Sequence, residues 1–348
     1  MTTAPALGEV VLSYPDPRGE LTGVALVGEL WKRRPPVAFA RRDGGWELRL
    51  PLPPVDRFEY ELQLTFPDGR TAFALDPVAP TAPGPLGDKS VLELPTYAEP
   101  GWVEQEAPEG SIRSLRLPSA RLRTSVEGLL WSPPGAEVAE PLPLLVVHDG
   151  PEYAVYSDLI HFLDVATALE RLPRLRAALL APVLRNEHYS ASARYSDALV
   201  EQLLPALGET APLPARLRPV GMGASLGALS FLHAHRRHPG SFAGLFLQSG
   251  SFFRQRFDRQ EAGFPRFRRI TRFIGTVFGA AAWPDPIPVS LTCGTGEENR
   301  SNNAATAAAL ARQGYPVALA EIRDAHTWIG WRDALDPHLP RLLSRAWS

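Results

Sequence analysis

The sequence of 348 residues is poor in cysteine and lysine. Cys293 is its only cysteine, so an intrachain disulfide is excluded and a cytoplasmic location is expected. The basic residues are nearly all arginine, because Lys32 and Lys89 are the only lysines. The formal net charge is only −2, which leaves no strong field to favour nucleic acid or an anionic membrane as a partner.

Long apolar runs and the common nucleotide and metal motifs are also missing. No stretch approaches the roughly 18 apolar residues of a membrane-spanning helix, and residues 1–9 lack the pattern of an export signal. No glycine-rich phosphate loop follows a strand, and His233, His235 and His238 lack metal-site spacing, which favours an exposed helix surface for all three. We therefore expect a soluble protein with no metal and no cofactor, whose oligomeric state the sequence leaves open.

What the sequence does contain divides it into two regions. The first hundred residues carry short apolar-alternating runs, which predict strands at Val24–Gly28, Val37–Arg41, Trp46–Leu50, Phe58–Leu64 and Thr71–Leu75. The stretch that follows is rich in proline, glutamate and glycine and has no periodicity. We predict a β-sandwich domain over residues 1–96, a linker over 97–111 and a second domain over 112–348.

In the second region, predicted strands alternate with predicted helices. The strands are expected near 112–117, 126–131, 142–148, 177–183, 217–222, 243–248, 289–293 and 317–322. The helices are expected near 158–172, 195–207, 226–238 and 301–312. This alternation predicts an α/β fold with a mostly parallel sheet and a site at the carboxyl ends of its strands.

The pentapeptide Gly223–Gly227, with Ser225 at its centre, lies between a predicted strand and a predicted helix. A strand-to-helix turn of this kind is so tight that only small residues fit two positions before and after the serine. Ser225 is therefore the candidate nucleophile. A serine hydroxyl needs a histidine to accept its proton and a carboxylate to orient that histidine.

The order nucleophile, acid, base predicts that both partners lie downstream of the turn. His326 follows the predicted strand 317–322 and is the candidate base, whereas His338 fits a solvated position near the carboxyl terminus. The acid should end the preceding strand, where Glu297 is the first candidate and Glu298 the second. Both glutamates also suit the start of a helix, whose dipole they would complement.

Several segments together resemble the enterochelin esterase family, within a wider group of esterases that includes feruloyl esterases and mycolyltransferases. The segments are Arg185–Tyr189, Gly223–Gly227, Gln248–Phe252, Gly294–Glu297 and His326–Arg332. The likeness covers nearly the whole chain, and its amino-terminal part is similar to the family's immunoglobulin-like domain. It implies an α/β-hydrolase fold, and it aligns Glu297 with the family acid.

The resemblance also implies an oxyanion hole that includes the Leu226 amide. A second amide is expected after Asp149-Gly150, but Pro151 stands there and has no N–H. Either Glu152 or Tyr153 is then the expected donor, through a shifted loop, or the hole relies on the Leu226 N–H. His188 stands where relatives more often carry a glutamate, which leaves Arg185 without a carboxylate at that spacing and predicts that it is freer to meet an anionic substrate.

The implied reaction is serine-dependent hydrolysis of a carboxylic ester, with a catecholate siderophore such as ferric enterochelin as the expected small-molecule substrate. Seven arginines and six phenylalanines lie between Phe252 and Phe273 and predict a positive, aromatic mouth for an anion. The candidate substrate contacts are Arg185, Tyr153, Trp328 and Arg268. A feruloyl or acetyl esterase and a weakly catalytic binding scaffold remain the alternatives.

Overall fold

The computed structural model describes residues 8–31 and 35–348, so part of the stretch examined for an export signal lies outside the described residues. The chain divides into two compact units. The first comprises Met1–Ala98 together with two short later segments, Gly294–Glu298 and Ile322–Gly330. The second comprises Glu99–Cys293, Asn299–Glu321 and Trp331–Ser348.

The first unit is built from short antiparallel strands. They are β1 (Glu9–Pro15), β2 (Gly23–Gly28), β3 (Val37–Ala38), β4 (Ala40–Arg42), β5 (Gly45–Pro51), β6 (Arg57–Thr65), β7 (Thr71–Ala74), β8 (Thr81–Ala82) and β9 (Lys89–Glu93). One sheet has the order β1-β5-β4, and the other has the order β3-β2-β6-β9-β8, with β7 also paired to β6.

Both sheets contribute to one hydrophobic cluster, which includes Leu12 and Leu48 from the first sheet and Leu26 and Leu62 from the second. The expected strand over 37–41 is split at Phe39. Its first part pairs with β2 and its second part with β5, so the chain passes from one sheet to the other at this point.

The second unit contains an eight-stranded sheet. Its strands are β10 (Ser111–Ser119), β11 (Thr124–Ser132), β12 (Leu144–His148), β13 (Arg176–Leu180), β14 (Val220–Ala224), β15 (Gly244–Gln248), β16 (Val289–Gly294) and β17 (Val317–Ile322). The order is β10-β11-β13-β12-β14-β15-β16-β17. The pairs β10·β11 and β11·β13 are antiparallel, whereas β13·β12, β12·β14, β14·β15 and β15·β16 are parallel.

Helices connect most of these strands. They are α1 (Gly150–Tyr156), α2 (Leu159–Ala168), α3 (Arg185–His188), α4 (Ala193–Ala198), α5 (Leu204–Thr210), α6 (Leu226–Arg237), α7 (Phe267–Gly279), α8 (Arg300–Arg312), α9 (Trp328–Asp333) and α10 (His338–Ala346). A π-helical turn, Leu199–Leu203, joins α4 to α5. Within the described part of the chain, no helix combines the length and the apolar character needed to cross a membrane.

The central strands are buried on both faces, which explains their sequence pattern. Every residue of β12 to β16 is buried, so these segments are mainly apolar and lack the alternation of a strand with one exposed face. The expected linker is also anchored, since the ring of Trp102 is buried and packs edge-on against Phe162 at 5.0 Å.

Candidate active site

Ser225 lies on a sharp turn between β14, which ends at Ala224, and α6, which begins at Leu226. Its backbone has φ 54° and ψ −119°, a strained conformation for a residue other than glycine. The turn is held because the Ser225 N–H donates to the carbonyl oxygen of Gln248 at 2.9 Å. A Cβ atom on Gly223 would lie 2.8 Å from the carbonyl carbon of Gly227, which explains the glycine at that position.

The hydroxyl of Ser225 is half-buried and lies 3.1 Å from the hydroxyl of Ser251. The Ser251 N–H in turn donates to the Ser225 carbonyl oxygen at 3.1 Å. Residue-by-residue reasoning missed Ser251. Ser251 belongs to the segment Gln248–Phe252, which resembles the family, but the resemblance assigned no function to this residue.

His148, at the end of β12, contacts the backbone of the turn at Gly227, and the sequence analysis did not predict this role. Its Nδ1 lies 3.2 Å from the carbonyl oxygen of Gly227, and its Nε2 lies 2.9 Å from the hydroxyl of Tyr195. Burial lowers the pKa of His148 to about 3, so the ring is neutral at physiological pH. The carbonyl can only accept, so Nδ1 carries the proton and Nε2 accepts from Tyr195.

Glu297 and His326 form a hydrogen-bonded pair in the first unit. The Nδ1 of His326 lies 2.8 Å from Oε2 of Glu297, whose side chain is only 1% exposed. The other carboxylate oxygen accepts the Gly294 N–H at 2.7 Å. Glu298, the second candidate for the acid, has an exposed side chain. The geometry therefore gives the orienting contact to Glu297.

The segment after β12 enters a helix at once, because α1 begins at Gly150 and places Pro151 in its first turn. The Tyr153 N–H donates to the Asp149 carbonyl oxygen at 2.9 Å and so closes that turn. Of the two proposed amides, Glu152 therefore remains as the candidate beside Leu226. One carboxylate oxygen of Glu152 is buried without a hydrogen-bond partner among the described residues. Burial raises the pKa of this carboxyl group.

The expected substrate contact by Tyr153 is corrected, because its side chain is 0% exposed. The hydroxyl donates to Oε1 of Gln248 at 2.7 Å, so the residue ties α1 to β15 inside the fold. Tyrosine rings are often buried in this way when the hydroxyl finds an internal partner. Nothing in the local sequence distinguished this position from an exposed one.

The expectation that Arg185 is freer to meet an anionic substrate is corrected, because Asp149 binds it. Its Nε and Nη2 atoms each lie 2.8 Å from one oxygen of Asp149, in a bidentate pair. Asp149, which lies 36 residues before Arg185, thus takes the place of the missing glutamate at position 188. His188 itself is buried and stacks on Tyr195. The charge of Arg185 is therefore largely neutralised within the protein.

The arginine-rich segment is corrected in the same way. Arg266 and Arg269 both bind the carboxylate of Glu187, and Arg269 also donates to the Ser190 carbonyl oxygen at 2.6 Å. Arg268 is exposed, and none of the described residues forms an ion pair with it. Helix α7 inserts an apolar face into the core, with Phe267, Ile270, Ile274 and Val277 buried.

Trp328 lines a cavity of about 360 Å³ in the first unit, beside His326. Tyr60 and Leu86 supply apolar lining, and Glu29, Glu59, Glu61 and Lys89 supply charged lining. Glu61 binds Lys89, and Glu59 accepts from Arg57 at 3.1 Å, so part of this acidic charge is paired. The cavity is large enough for one aromatic ring with a short chain.

The expected exposed surface for the three histidines of α6 and its end is corrected. His235 is buried, with its Nε2 2.9 Å from the Tyr315 hydroxyl, and the Nδ1 of His233 lies 2.7 Å from the Ser196 hydroxyl. His238 approaches Asp197 at 2.9 Å. Asp197, Glu201 and His238 have the spacing of metal ligands, but Arg121 and Arg237 already bind these carboxylates.

Comparison with known proteins adds to this geometry. No family model matches the chain. The iron(III) enterobactin esterase of Escherichia coli (strain K12) is 31% identical over 169 residues, which is 47% of this chain. The match spans 42% of the length of that relative.

The solved structures give a broader likeness. The enterobactin esterase of Shigella flexneri, solved in the presence of enterobactin, superposes with a TM-score of 0.76 at 22% identity. The match covers 98% of this chain and 94% of that one. A ferulic acid esterase superposes with a TM-score of 0.58 at 16% identity and covers 68% of this chain. The chain therefore has the mixed α/β fold of esterase hydrolases, and its likeness to the enterobactin esterase extends over both of its units.

Proposed function

We propose that the chain is a serine esterase that hydrolyses carboxylic esters of a catecholate siderophore, with ferric enterobactin as the preferred substrate. The curated relative and the solved structure that matches the whole chain both support this choice. Ser225 is the nucleophile, His326 the general base and Glu297 the orienting acid.

One observation carries the proposal: all three residues follow strands of the same sheet. Ser225 comes directly after β14, Glu297 follows the end of β16 and His326 follows the end of β17. Segments at the carboxyl ends of strands in an open α/β sheet form the usual site of chemistry in such folds. The positive φ of Ser225 marks the same position as strained.

The contacts of each residue assign its step. Glu297 accepts from Nδ1 of His326, which leaves Nε2 unprotonated and able to take the proton of a serine hydroxyl. Ser225 Oγ then attacks the ester carbonyl carbon, and the Leu226 and Glu152 amides are the proposed donors to the oxyanion. His326 returns the proton to the departing alcohol. Water repeats the sequence on the acyl-enzyme and releases the acid.

Trp328 and the adjoining cavity are the proposed site for a catechol ring of the substrate. The lining combines aromatic and apolar residues, and the volume of about 360 Å³ suits one aryl group. Arg268 is the proposed contact for negative charge, since it is exposed and not ion-paired with the described residues. Arg185 has a weaker claim because Asp149 binds it.

The test measures hydrolysis of ferric enterobactin, iron-free enterobactin, methyl ferulate and 4-nitrophenyl acetate by the wild-type protein and by Ser225→Ala. We expect Ser225-dependent hydrolysis of all reactive esters, with the highest kcat/KM for ferric enterobactin. The alanine fits the turn, so an unchanged Tm verifies that the variant is folded.

Each other result selects a different function. A higher kcat/KM for methyl ferulate would favour the feruloyl esterase alternative, which the ferulic acid esterase fold also supports. Binding of ferric enterobactin without turnover of any ester would favour the binding scaffold, for which Pro151 is the structural reason. Full activity in Ser225→Ala would remove the proposed nucleophile.

The finer architecture is also part of the proposal. The amino-terminal strands are proposed to form an immunoglobulin-like sandwich, supported by two antiparallel sheets that share one hydrophobic cluster. The boundaries 1–96, 97–111 and 112–348, and an α/β-hydrolase domain with a mostly parallel sheet, remain our proposed division. A cytoplasmic location is supported by the single buried cysteine, Cys293.

A further inference from the structure

The segments that carry Glu297 and His326 are attached to the chain just before and at the start of β6. The Asp56 N–H donates to the Arg323 carbonyl oxygen at 2.6 Å, and the Arg323 side chain binds the Asp56 carboxylate at 2.7 Å. The Thr295 hydroxyl donates to the Pro54 carbonyl oxygen at 2.5 Å. Residues 54–56 therefore hold both the acid segment and the base segment.

Arg57 adds a buried ion pair to these backbone contacts. Its Nη1 lies 3.4 Å from Oδ2 of Asp324, two residues before His326, and both side chains are at most 4% exposed. The same nitrogen lies 3.1 Å from Glu59. Burial alone would lower the pKa of Arg57, but the charges of Asp324 and Glu59 raise it above its ordinary value, so the guanidinium stays charged.

Asp324 connects this arginine to both members of the candidate pair. Its Oδ1 accepts the N–H of Ala325, the residue before His326, at 2.6 Å. Its carbonyl oxygen accepts the N–H of Gly296, the residue before Glu297, at 3.0 Å. A Cβ atom on Gly294 would lie 2.4 Å from that same carbonyl oxygen, so the two segments are closely packed here. A shift of Asp324 would therefore move His326 and Glu297 relative to each other.

We infer that Arg57 is a positioning residue, which acts through Asp324 to keep His326 in hydrogen-bonding geometry with Glu297. The inference rests on the proposed function for its catalytic consequence. Its structural part concerns only the geometry of the His326–Glu297 hydrogen bond. The amino-terminal strands thereby contribute to the geometry of the acid–base pair, since β6 supplies the charge that pairs with Asp324.

The physical reason is the cost of weakening the compensation of a buried charge. Removal of one partner from a buried ion pair leaves the charge of the other less well compensated, and the structure responds by local movement that hydrates it. The backbone next to His326 is the part of Asp324's surroundings that would move. Misplacement of a catalytic group by about 1 Å can cost about 100-fold in rate.

The experiment compares Arg57→Met, Arg57→Lys and Asp324→Asn with the control Arg49→Met, which removes an exposed arginine from β5 of the same unit. We expect Arg57→Met to lower kcat for 4-nitrophenyl acetate about 10- to 100-fold while KM changes little, since the group does not touch substrate. The midpoint of the acid limb of the kcat profile should also move. Arg57→Lys should recover part of kcat, and Arg49→Met should resemble the wild type.

A second measurement does not depend on turnover. The measurement is the proton NMR spectrum at low field, where the hydrogen-bonded Nδ1 proton of His326 is expected and would be assigned by its loss in Glu297→Gln. We expect this resonance to shift or broaden in Arg57→Met and in Asp324→Asn, but not in Arg49→Met. Asp324→Asn keeps a side-chain oxygen for the Ala325 N–H, so it serves if Arg57→Met does not fold.

The outcomes separate the two ideas. An unchanged His326 resonance in folded Arg57 and Asp324 variants overturns the positioning role, whatever the activity. A lower Tm with unchanged kcat and pH profile also overturns it and makes the ion pair purely structural. A shifted resonance in a protein whose wild type hydrolyses no ester supports the positioning role and rejects the proposed function.

Discussion

The turn that carries Ser225 and the segments that carry Glu297 and His326 are held in place by different means. The turn is fixed locally, by a positive φ, by glycines with no room for a side chain, and by backbone bonds to the next strand. The acid and base segments are fixed by polar contacts to residues more than 200 positions earlier, including a buried ion pair between Arg57 and Asp324.

The difference shows that the residues of the proposed triad rest on two kinds of support with different sensitivities. A locally determined turn responds to changes of side-chain volume within a few residues. A segment held by distant polar contacts responds to changes of charge in a part of the chain that carries no candidate catalytic residue. Four substitutions test this contrast, in order of decreasing expected effect.

The largest effect is expected for Glu297→Gln. The neutral amide no longer stabilises protonated His326 and permits the wrong tautomer, so kcat should fall about 1,000- to 10,000-fold. The matched control is Glu298→Gln, which should keep kcat within about twofold because its side chain is exposed. Steady-state hydrolysis of 4-nitrophenyl acetate measures both. If both variants kept the wild-type kcat, neither glutamate would be the acid, and His326 would act as the base without a carboxylate partner.

Local support is tested by Gly223→Ala. The added Cβ atom would lie 2.8 Å from the Gly227 carbonyl carbon, so the turn must shift, and kcat should fall about 10- to 100-fold with a lower Tm. The control is Gly208→Ala in α5, where no atom lies within 4 Å of the new Cβ and helix propensity should add about 0.5–1 kcal/mol of stability. Retention of full activity by Gly223→Ala would show that the turn tolerates volume.

The sequence predicted the locally determined parts well. The small residues of Gly223–Gly227 are those that the tight turn requires, and the buried strands around it appear in the sequence as mainly apolar runs. Glu297 and His326 could be proposed from their positions after such runs. The support from Arg57 could not, because no local pattern marks a charged residue that pairs across 267 positions.

The same limit explains the wrong expectations about arginines. A cluster of cations in sequence predicts a positive surface only if no distant carboxylate reaches it. Asp149 reaches Arg185, and Glu187 reaches both Arg266 and Arg269. The substrate contact predicted for Tyr153 was wrong for a related reason. The hydrogen-bond partner of its buried hydroxyl is Gln248, which lies 95 positions later.

A smaller effect is expected at Arg268. Arg268→Gln should raise KM for ferric enterobactin about two- to fivefold at low salt, as an exposed charge contributes at most about 1 kcal/mol. The increase should shrink at high salt and be absent for 4-nitrophenyl acetate. Arg269→Gln is the comparison, because its loss leaves Glu187 without one partner and should lower Tm without selecting between substrates. A change in KM for the neutral ester with Arg268→Gln would contradict the charge-recognition role.

The smallest effect on chemistry is expected at Asp197, whose polar contacts lie within the second unit. Hydrogen bonds from Arg237, opposed by burial and aided by His238, lower the pKa of Asp197 to about 2. A lowered pKa contributes stability above the unfolded value of about 3.9, and the contribution is lost as pH falls towards 2. Asp197→Asn should therefore lower Tm near pH 7, with a difference from wild type that disappears between about pH 4 and pH 2.

The measurement is a series of thermal melts from pH 7 to pH 2, with kcat followed at pH 7. We expect kcat to stay close to the wild-type value, because Asp197 binds residues of α6 and its end rather than the proposed triad. A Tm difference that persists at pH 2 would mean that packing, not charge, accounts for the loss.

The pairing of Arg57 with Asp324 also restricts how the protein can change over generations. A chain cut to begin at Glu99 would retain the turn at Ser225 but lose the Arg57 guanidinium that pairs with Asp324, although both residues belong to the same compact unit. Grafting the amino-terminal strands of a protein with the same fold is expected to preserve this pair only if position 57 and position 324 are transferred together. Substitutions at these two sites are therefore expected to be inherited as a pair, although neither residue lies in the proposed triad.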